Sequence, residues 1–159
     1  MNFISRRLTH DDLPVLLALC ESNPHYYELY GGRPTLENLS ETLSELPPGC
    51  DAGQKQFLGY FDADGLVAVA DVVRGYPDER TAYIGLLMVD GGCHRQGIGT
   101  HICSEIFDGL HDEGFSHVRL AYIQNNEAAR IFWEQLGFAP SGRPVETPSY
   151  VAIPMERAL

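Results

Sequence analysis

The sequence predicts an α/β domain of the α+β kind, in which helices pack against a mixed, mostly antiparallel sheet. Two observations predict this fold class. Hydrophobic periodicity gives the element order β-α-α-β-β-β-α-β-α-β-β along the chain. Residues 81–123 have the pattern strand, helix, strand, which requires one parallel crossover, whereas the neighbouring hairpin and the closing strand pair are antiparallel.

The chain has the size and composition of one globular domain. It has 159 residues, of which 44% are hydrophobic and 21% are charged. A chain of this length buries roughly 68–70% of its unfolded surface without a disulfide or a metal. This composition excludes a disordered chain, and we expect residues 1–159 to form a single domain.

The first third of the chain is predicted to be mainly helical. After a short strand at residues 3–7, a capping-box pattern at residues 9–12 opens a helix with one apolar face, made of Leu13, Leu16, Leu17 and Cys20. Asn23 and Pro24 end it. A second helix, capped by Thr35, continues to the turn at residues 47–49 and carries Leu36, Leu39, Leu43 and Leu46.

The rest of the chain alternates strands with helices. A hairpin is predicted from strands at residues 56–61 and 66–74, and the nearly continuous apolar strand at 81–89 is central. Four more elements follow a glycine-rich loop: a helix from Ile98 to the C-cap Gly114, a strand at 117–123, a helix at 127–136 closed by Gly137, and an antiparallel pair at 138–143 and 149–155.

The charge balance narrows the range of partners. The net charge is −11, and Lys55 is the only lysine. Such a field repels nucleic acid and anionic membranes, and no run of basic residues offsets it. We therefore expect neither partner. A polyanionic ligand has to be held by main-chain amides and one or two arginines, whereas a cationic amine is attracted.

The cysteines give no sign of a disulfide framework or a metal site. The four cysteines form no C-x-x-C pair and no apolar leader is seen, which predicts a cytoplasmic protein with reduced thiols. Cys93, His94, His101 and Cys103 are close in sequence, but Cys103 falls in the apolar register of a helix. We therefore expect neither a zinc site nor a thiolate nucleophile.

A glycine-rich loop at residues 94–100 directly follows the central strand and opens the next helix. Successive amides at a helix N-terminus attract anions, so this loop is the evident phosphate site. It lacks the Lys-Ser/Thr of a P-loop, and Ile102 stands where a dinucleotide fingerprint has its third glycine. The alternative is a tight turn that binds no ligand.

A second motif follows the next strand, at residues 126–138, where Asn126, Ala129, Phe132, Gly137 and Phe138 fit the pattern N-x-x-A-x-x-[F/L]-Y-x-x-x-G-F. With residues 87–89 and the glycine loop before it, the chain resembles the GCN5-related N-acetyltransferase (GNAT) superfamily. The chain departs from the two family signatures at two positions. In the first signature, which spans the strand end and the glycine loop, His94 stands where the family has Gln or Arg. In the second signature, at residues 126–138, Trp133 replaces the tyrosine.

The resemblance implies a central pair of splayed parallel strands, helices on both sheet faces, and acetyl-CoA in the gap between those strands. It also implies the residues that bind this co-substrate. The strand end provides Leu87, Met88 and Val89; the loop provides His94, Arg95, Gln96, Gly97, Ile98, Gly99 and Thr100; the opposite wall provides Asn126, Ala129 and Trp133.

The implied reaction is direct transfer of an acetyl group to a primary amine in a ternary complex. Tyr83 falls where histone acetyltransferases of the family carry a glutamate base, and Asp71 and Glu79 are nearby carboxylates. These three residues are the catalytic candidates. The family's usual acid is the tyrosine that Trp133 replaces, and an indole cannot act as an acid. Either another group such as Tyr122 serves, or the thiolate leaves unassisted.

The acceptor side is predicted at the segment after the first helix, which carries Tyr26, Tyr27 and Tyr30. Two roles are open for these rings. Either they surround the cationic amine of the acceptor, or they only pack in the hydrophobic core. The acceptor class stays open: a small amine, amino acid, antibiotic, polyamine or peptide N-terminus.

Several alternatives remain at this stage. Within enzymes they are transfer of a longer acyl group or transfer to oxygen. From other classes they are a non-catalytic acyl-CoA-binding sensor and a purely structural interaction domain. Dimers are common in the family, so a homodimer is a further expectation.

Overall fold

The computed structural model describes residues 1–159 and contains one sheet of eight strands. The strands are β1 (Ile4–Arg7), β2 (Lys55–Asp62), β3 (Gly65–Arg74), β4 (Thr81–Val89), β5 (His117–Ile123), β6 (Ala139–Pro140), β7 (Val145–Glu146) and β8 (Val151–Ala158). Their order is β1-β2-β3-β4-β5-β8-β6, and β7 also pairs with β8. Only β4 and β5 are parallel, which confirms the predicted mixed, mostly antiparallel fold.

Five helices cover the two faces of the sheet: α1 (Leu13–Glu21), α2 (Pro24–Tyr30), α3 (Leu36–Ser44), α4 (Ile98–Asp112) and α5 (Glu127–Gln135). The sheet therefore has two cores. On one face, α1 and α3 pack over Phe57, Val69 and Met88. On the other, Ile102 and Leu110 of α4 and residues of α5 pack over neighbouring strand positions. Alternation of side chains along the central strands produces both cores.

The parallel pair is short and opens into a gap. Residues 81–83 of β4 pair with residues 117–119 of β5, and the strands then diverge. The β5-facing edge of residues 85–89 is left without a strand partner. We call the space between these diverging ends the gap. It is the splay that the resemblance implies.

A bulge on β4 lies at the start of the gap. The register between β3 and β4 shifts so that Asp71 faces Leu86 while Val72 faces Ile84, which leaves Gly85 as the extra residue. A Cβ on Gly85 would lie 2.8 Å from Asp71 Oδ2. Glycine is therefore what allows the carboxylate and the bulged strand to approach each other.

Two elements differ from the sequence expectation. Pro24 ends α1 as predicted, but it also stands at the first position of α2, which Gly31 closes in the left-handed region at φ +89°. The closing antiparallel pair is present but is split into two short strands, because residues 139–140 and residues 145–146 pair separately with β8. Strand β8 instead pairs along its whole length mainly with β5.

Candidate functional site

The free edge of β4 exposes main-chain groups to the gap. The Asp90 amide donates to the Val67 carbonyl at 2.8 Å, which fixes the alternation of the β3–β4 ladder. By that alternation the main-chain groups of Leu87 and Val89 point away from β3, toward the gap. Those of Met88 point toward β3, and its side chain is buried under α1. The structure therefore brings Leu87 and Val89 to the gap but not Met88.

The glycine loop forms a cradle of free amides between β4 and α4. Arg95 and Gly97 have left-handed backbones, at φ 61° and 77°. The main-chain amides of residues 94–100 have no acceptor in the protein, and no side chain caps α4. Only the Met1 methyl comes within 4 Å of the position that a Gly97 Cβ would take. Free amides at a helix N-terminus suit a diphosphate.

Val89 is tied in place by two side chains. Its carbonyl accepts from Asn23 Nδ2 and lies next to His94 Nε2, both at 3.0 Å. Because both lone pairs are engaged, only the Val89 N–H remains for a ligand. The His94 ring therefore braces the loop against the end of β4, and its main-chain amide is what it adds to the cradle. The side chains of Arg95, Gln96 and Thr100 are exposed.

Helix α5 follows β5 and contacts the glycine loop. Asn126 Oδ1 caps it by accepting from the Ala129 amide at 3.1 Å. The Phe132 ring contacts Gly99, since a Cβ there would lie 3.2 Å from it. Trp133 is 8% exposed, packs edge-on against Phe132 at 4.8 Å, and its indole N–H has no hydrogen-bond partner. Phe132, which is not among the predicted site residues, therefore contacts the cradle at Gly99.

A cleft of about 1000 Å³ opens on the sheet face covered by α2 and α3. It reaches the gap at Gly85 and Leu86 of β4 and at Tyr122 of β5. Six of the eight tyrosines line it: Tyr26, Tyr27, Tyr30, Tyr83, Tyr122 and Tyr150. We call this space the tyrosine cleft. The predicted residues Tyr26, Tyr27, Tyr30, Tyr83 and Asp71 all lie in it.

The tyrosines at the cleft wall are packed in a row. Tyr26 stacks on Tyr30 with centroids 5.8 Å apart, and Tyr30 stacks on Tyr150 at 5.3 Å. Helix α2 thus leans on the turn before β8, where Gly31 and Ser149 are in close contact. Burial raises the pKa of Tyr26 and Tyr27, so these phenols are neutral. The wall is aromatic and uncharged.

A buried ion pair lies on the floor of the cleft. Lys55 Nζ is 3.2 Å from Asp71 Oδ2, and the two side chains are 6% and 11% exposed. Lys55 also donates to the carbonyls of Thr42 at 2.7 Å and Glu45 at 2.6 Å, where α3 ends. Asp71 Oδ1 is buried without a partner. Burial raises the pKa of Asp71, and Lys55 opposes that rise.

The other two catalytic candidates, Tyr83 and Glu79, are placed less favourably than Asp71. Burial and the neighbouring Tyr76 raise the pKa of Tyr83 above its ordinary value, so its phenol is neutral and cannot act as the base. Glu79 lies in the exposed turn before β4, outside the residues that line the cleft. That turn lies at the paired end of β4, away from the gap. Of the three, Asp71 alone is a carboxylate inside the cleft.

Sequence reasoning missed Asn23, Phe132, Lys55 and Tyr150. Lys55 carried a signal, because a lone lysine inside a predicted strand is unusual in a chain with so few cations. Asn23 appeared only as a helix stop. Tyr150 becomes a neighbour of Tyr30 only through the packing of α2 on the turn before β8, and no local pattern indicates that contact.

Two further observations concern metals and membranes. No cluster of three or more His, Cys, Asp and Glu side chains is arranged to hold a metal ion. All four cysteines are free. Each helix is too short or too polar to cross a bilayer.

Comparison with solved structures shows that this fold is shared. The chain is similar to an acetyltransferase from Thermus thermophilus, with a TM-score of 0.81 and 23% identity over 100% of this chain and 98% of that one. It is similar to the ribosomal-protein-S18-alanine N-acetyltransferase from Escherichia coli, with a TM-score of 0.72 and 17% identity over 99% and 94%.

A third similar structure is the PaiA N-acetyltransferase from Thermoplasma acidophilum in complex with coenzyme A, with a TM-score of 0.71 and 20% identity over 100% of both chains. At these identities the similarity is one of fold. No match is found among curated proteins.

The sequence itself carries the family assignment. The model of the acetyltransferase (GNAT) family matches residues 19–138, which is most of the chain and includes the gap, the cradle and most of the tyrosine cleft. The chain therefore belongs to the GNAT family of acetyltransferases.

Proposed function

We propose that this chain transfers the acetyl group of acetyl-CoA to a primary amine, directly and within a ternary complex. The observation that carries the proposal is the meeting of two sites on β4. The amide cradle lies at the end of this strand, and the tyrosine cleft reaches the same gap at Gly85 and Leu86. Alignment of two reactants in this way contributes ~7–11 kcal/mol.

The donor side of the gap fits acetyl-CoA, which supplies an activated acyl group. The free amides of residues 95–100 hold the diphosphate, as a protein of net charge −11 with one lysine requires. Main-chain groups of Leu87 bind the pantetheine arm as an added strand would. The Val89 N–H is the donor for the oxygen that becomes negative as the amine attacks.

The acceptor amine must lose a proton, because an ordinary ammonium group has a pKa of about 10. Asp71 is the carboxylate at the cleft floor, and the rise in its pKa on burial makes it a better base. Asp71 first takes one proton from the ammonium group and passes it to water. The amine nitrogen then attacks the thioester carbonyl, the carbon–sulfur bond breaks, and its electron pair stays on sulfur. The nitrogen gives up its second proton to Asp71, which again passes it to water.

The leaving thiolate has no acid at the usual family position. Trp133 is buried and its N–H is a donor only. Tyr122 lines the cleft from β5 and is the phenol on the strand across the gap. The thiolate therefore leaves unassisted or takes a proton from Tyr122.

A second candidate function is favoured by the same tryptophan. Loss of the family acid fits a non-catalytic acyl-CoA sensor, which needs the cradle but not the chemistry. The tyrosine cleft argues against it, because a sensor needs no second cleft that reaches the gap.

Calorimetry with acetyl-CoA, followed by a thiol-release assay against a panel of amines, tests the proposal. We expect binding of acetyl-CoA and amine-dependent release of CoA, with the acetylated amine found by mass spectrometry. Binding without turnover across a broad panel favours the sensor. Failure to bind any CoA ester contradicts both functions.

A further inference from the structure

The cationic groups of the tyrosine cleft are the starting point. Only Arg33 and Lys55 among its lining residues are positively charged. An ammonium group has three N–H donors. Lys55 donates to the Thr42 and Glu45 carbonyls at 2.7 and 2.6 Å, and its ammonium lies 3.2 Å from Asp71 Oδ2. Its charge is therefore already paired inside the protein.

The remaining charges in the cleft are mostly negative. Asp71 lies on the floor with Oδ1 unpartnered, and Glu41 and Glu45 belong to the α3 side of the cleft. Arg33 lies in the exposed segment between α2 and α3, and it makes no ion pair. Arg33 is thus the one unpaired cation that lines the cleft, and it belongs to the exposed rim. A substrate carboxylate beside Asp71 would meet the carboxylate of the floor and a lysine whose charge is already paired, which is unfavourable in a partly desolvated site.

The walls of the cleft suit an uncharged, ring-bearing group. The stacked row of Tyr26, Tyr30 and Tyr150 continues into apolar side chains that line the same space, namely Leu39, Leu46, Val73, Leu86 and Ile123. Aromatic rings also stabilise an ammonium group that lies against their faces.

We propose that the acceptor is a small primary amine on an apolar, ring-bearing skeleton with no carboxylate next to the amine. The inference rests on the proposed acetyl transfer and names the acceptor class of the same site. Asp71 receives the ammonium group, the tyrosine row receives the ring, and Lys55 acts as a positioning residue. An α-amino acid is rejected because its carboxylate has no partner at the floor.

Three matched acceptors test this inference with the unaltered full-length chain: phenethylamine, phenylalanine amide and phenylalanine. They share ring and amine and differ only in the group beside the amine. Rates are compared as kcat/KM per free-base amine, so that differences in amine ionisation do not contribute. We expect phenethylamine to exceed phenylalanine by about 100-fold or more, with the neutral amide in between.

Each result is decisive for the inference. Phenylalanine used as well as phenethylamine overturns it, and so does turnover of other amines with none of the three. Phenylalanine amide preferred by tenfold over phenethylamine overturns it in favour of a peptide N-terminus. If no amine in the wide panel is acetylated, or if acetyl-CoA does not bind, the proposed function itself is contradicted. These outcomes can be distinguished from failure of the acceptor class alone, in which acetyl-CoA binds and other amines are acetylated.

The Asp71→Asn variant adds a test of the floor. We expect kcat/KM for phenethylamine to fall about 100-fold. The ratio of kcat/KM for phenethylamine to kcat/KM for phenylalanine should fall at least tenfold. Acetyl-CoA affinity, measured by calorimetry, should stay within twofold. Asp64→Asn, in the exposed β2–β3 turn, is the matched control. An unchanged preference in a folded Asp71→Asn variant overturns the role of Asp71, and the comparison of acceptors stands even if that variant does not fold.

Discussion

The cradle and the tyrosine cleft share one gap but are built in different ways. The cradle is contiguous: residues 94–100 present main-chain amides, shaped by the left-handed backbones of Arg95 and Gly97. The cleft collects side chains from two helices and the loops that follow them, from five strands and from the turn before β8. A main-chain site depends on backbone shape and tolerates many side chains. A side-chain site depends on packing, and each of its members sets the specificity.

The largest effect is expected where the cleft depends on a buried charge. Lys55→Met leaves Asp71 as an uncompensated buried carboxylate and removes the donor from the end of α3. Removing one partner of a buried pair costs about 3–5 kcal/mol. Urea unfolding should show this loss, and Lys55→Met combined with Asp71→Leu should recover at least half of it. Full loss in the double variant would show that the two side chains act independently.

The next effect concerns the cradle. Gly97→Glu places a side chain and a negative charge against the diphosphate, so acetyl-CoA affinity should fall at least 100-fold, or about 2.7 kcal/mol. Gly114→Glu is the control at the other end of α4. Both glycines have left-handed backbones, at φ 77° and 95°, so both variants carry a similar backbone cost of about 1–2 kcal/mol.

Calorimetry compares these two variants at a temperature where both are folded. If both variants lost the same acetyl-CoA affinity, the loss would come from backbone strain or net charge and not from the cradle. Replacement of Arg95 by Ala should cost far less than Gly97→Glu, because the cradle holds its ligand through amides.

A smaller effect is expected at the bulge where the two sites meet. Gly85→Ala puts a Cβ 2.8 Å from Asp71 Oδ2, so the carboxylate must move. We expect kcat to fall about tenfold while acetyl-CoA affinity is unchanged, since a misplaced group costs alignment. Gly109→Ala in α4 is the matched control, because an added Cβ there meets nothing within 4 Å. A fall in acetyl-CoA affinity at Gly85→Ala, with kcat intact, would contradict the division between the two sites.

The smallest effect should come from a pair outside both regions. The Arg6 guanidinium hydrogen-bonds Asp12 and lowers the pKa of that carboxyl to about 2. A lowered folded-state pKa stabilises the fold fully above the unfolded pKa of about 3.8 and is lost as pH falls toward 2. The melting temperatures of the wild type and of Asp12→Asn should therefore differ slightly at pH 6 and converge as pH falls to about 2. A difference in melting temperature that grows on acidification would contradict the direction of this pKa shift.

The same contrast explains what the sequence could predict. The sequence indicates the loop of the cradle, because glycines after a strand and before a helix specify a backbone shape. The motif predicts Leu87, Met88 and Val89 together, and only the ladder register shows that Leu87 and Val89 face the gap while Met88 does not. Trp133 was assigned by motif, and the structure shows its indole buried beside Phe132.

The cleft was predicted only in part, for physical reasons. The sequence predicts that Tyr26, Tyr27 and Tyr30 act together, but it indicates Pro24 only as the end of α1. Pro24 is also the first residue of α2, and this helix stacks Tyr30 on Tyr150, a contact across more than a hundred residues. The Lys55–Asp71 pair depends on the β2–β3 register and on the end of α3, neither of which the sequence pattern fixes.

The central claim is that the free amides of residues 94–100 grip the diphosphate of the acyl carrier. A titration of isotope-labelled protein with CoA, followed by amide NMR, observes those groups directly. The claim predicts that the amide resonances of these residues move more than any others, while those of Tyr30 and Asp71 move little. Large shifts elsewhere, with the cradle amides unmoved, would contradict it.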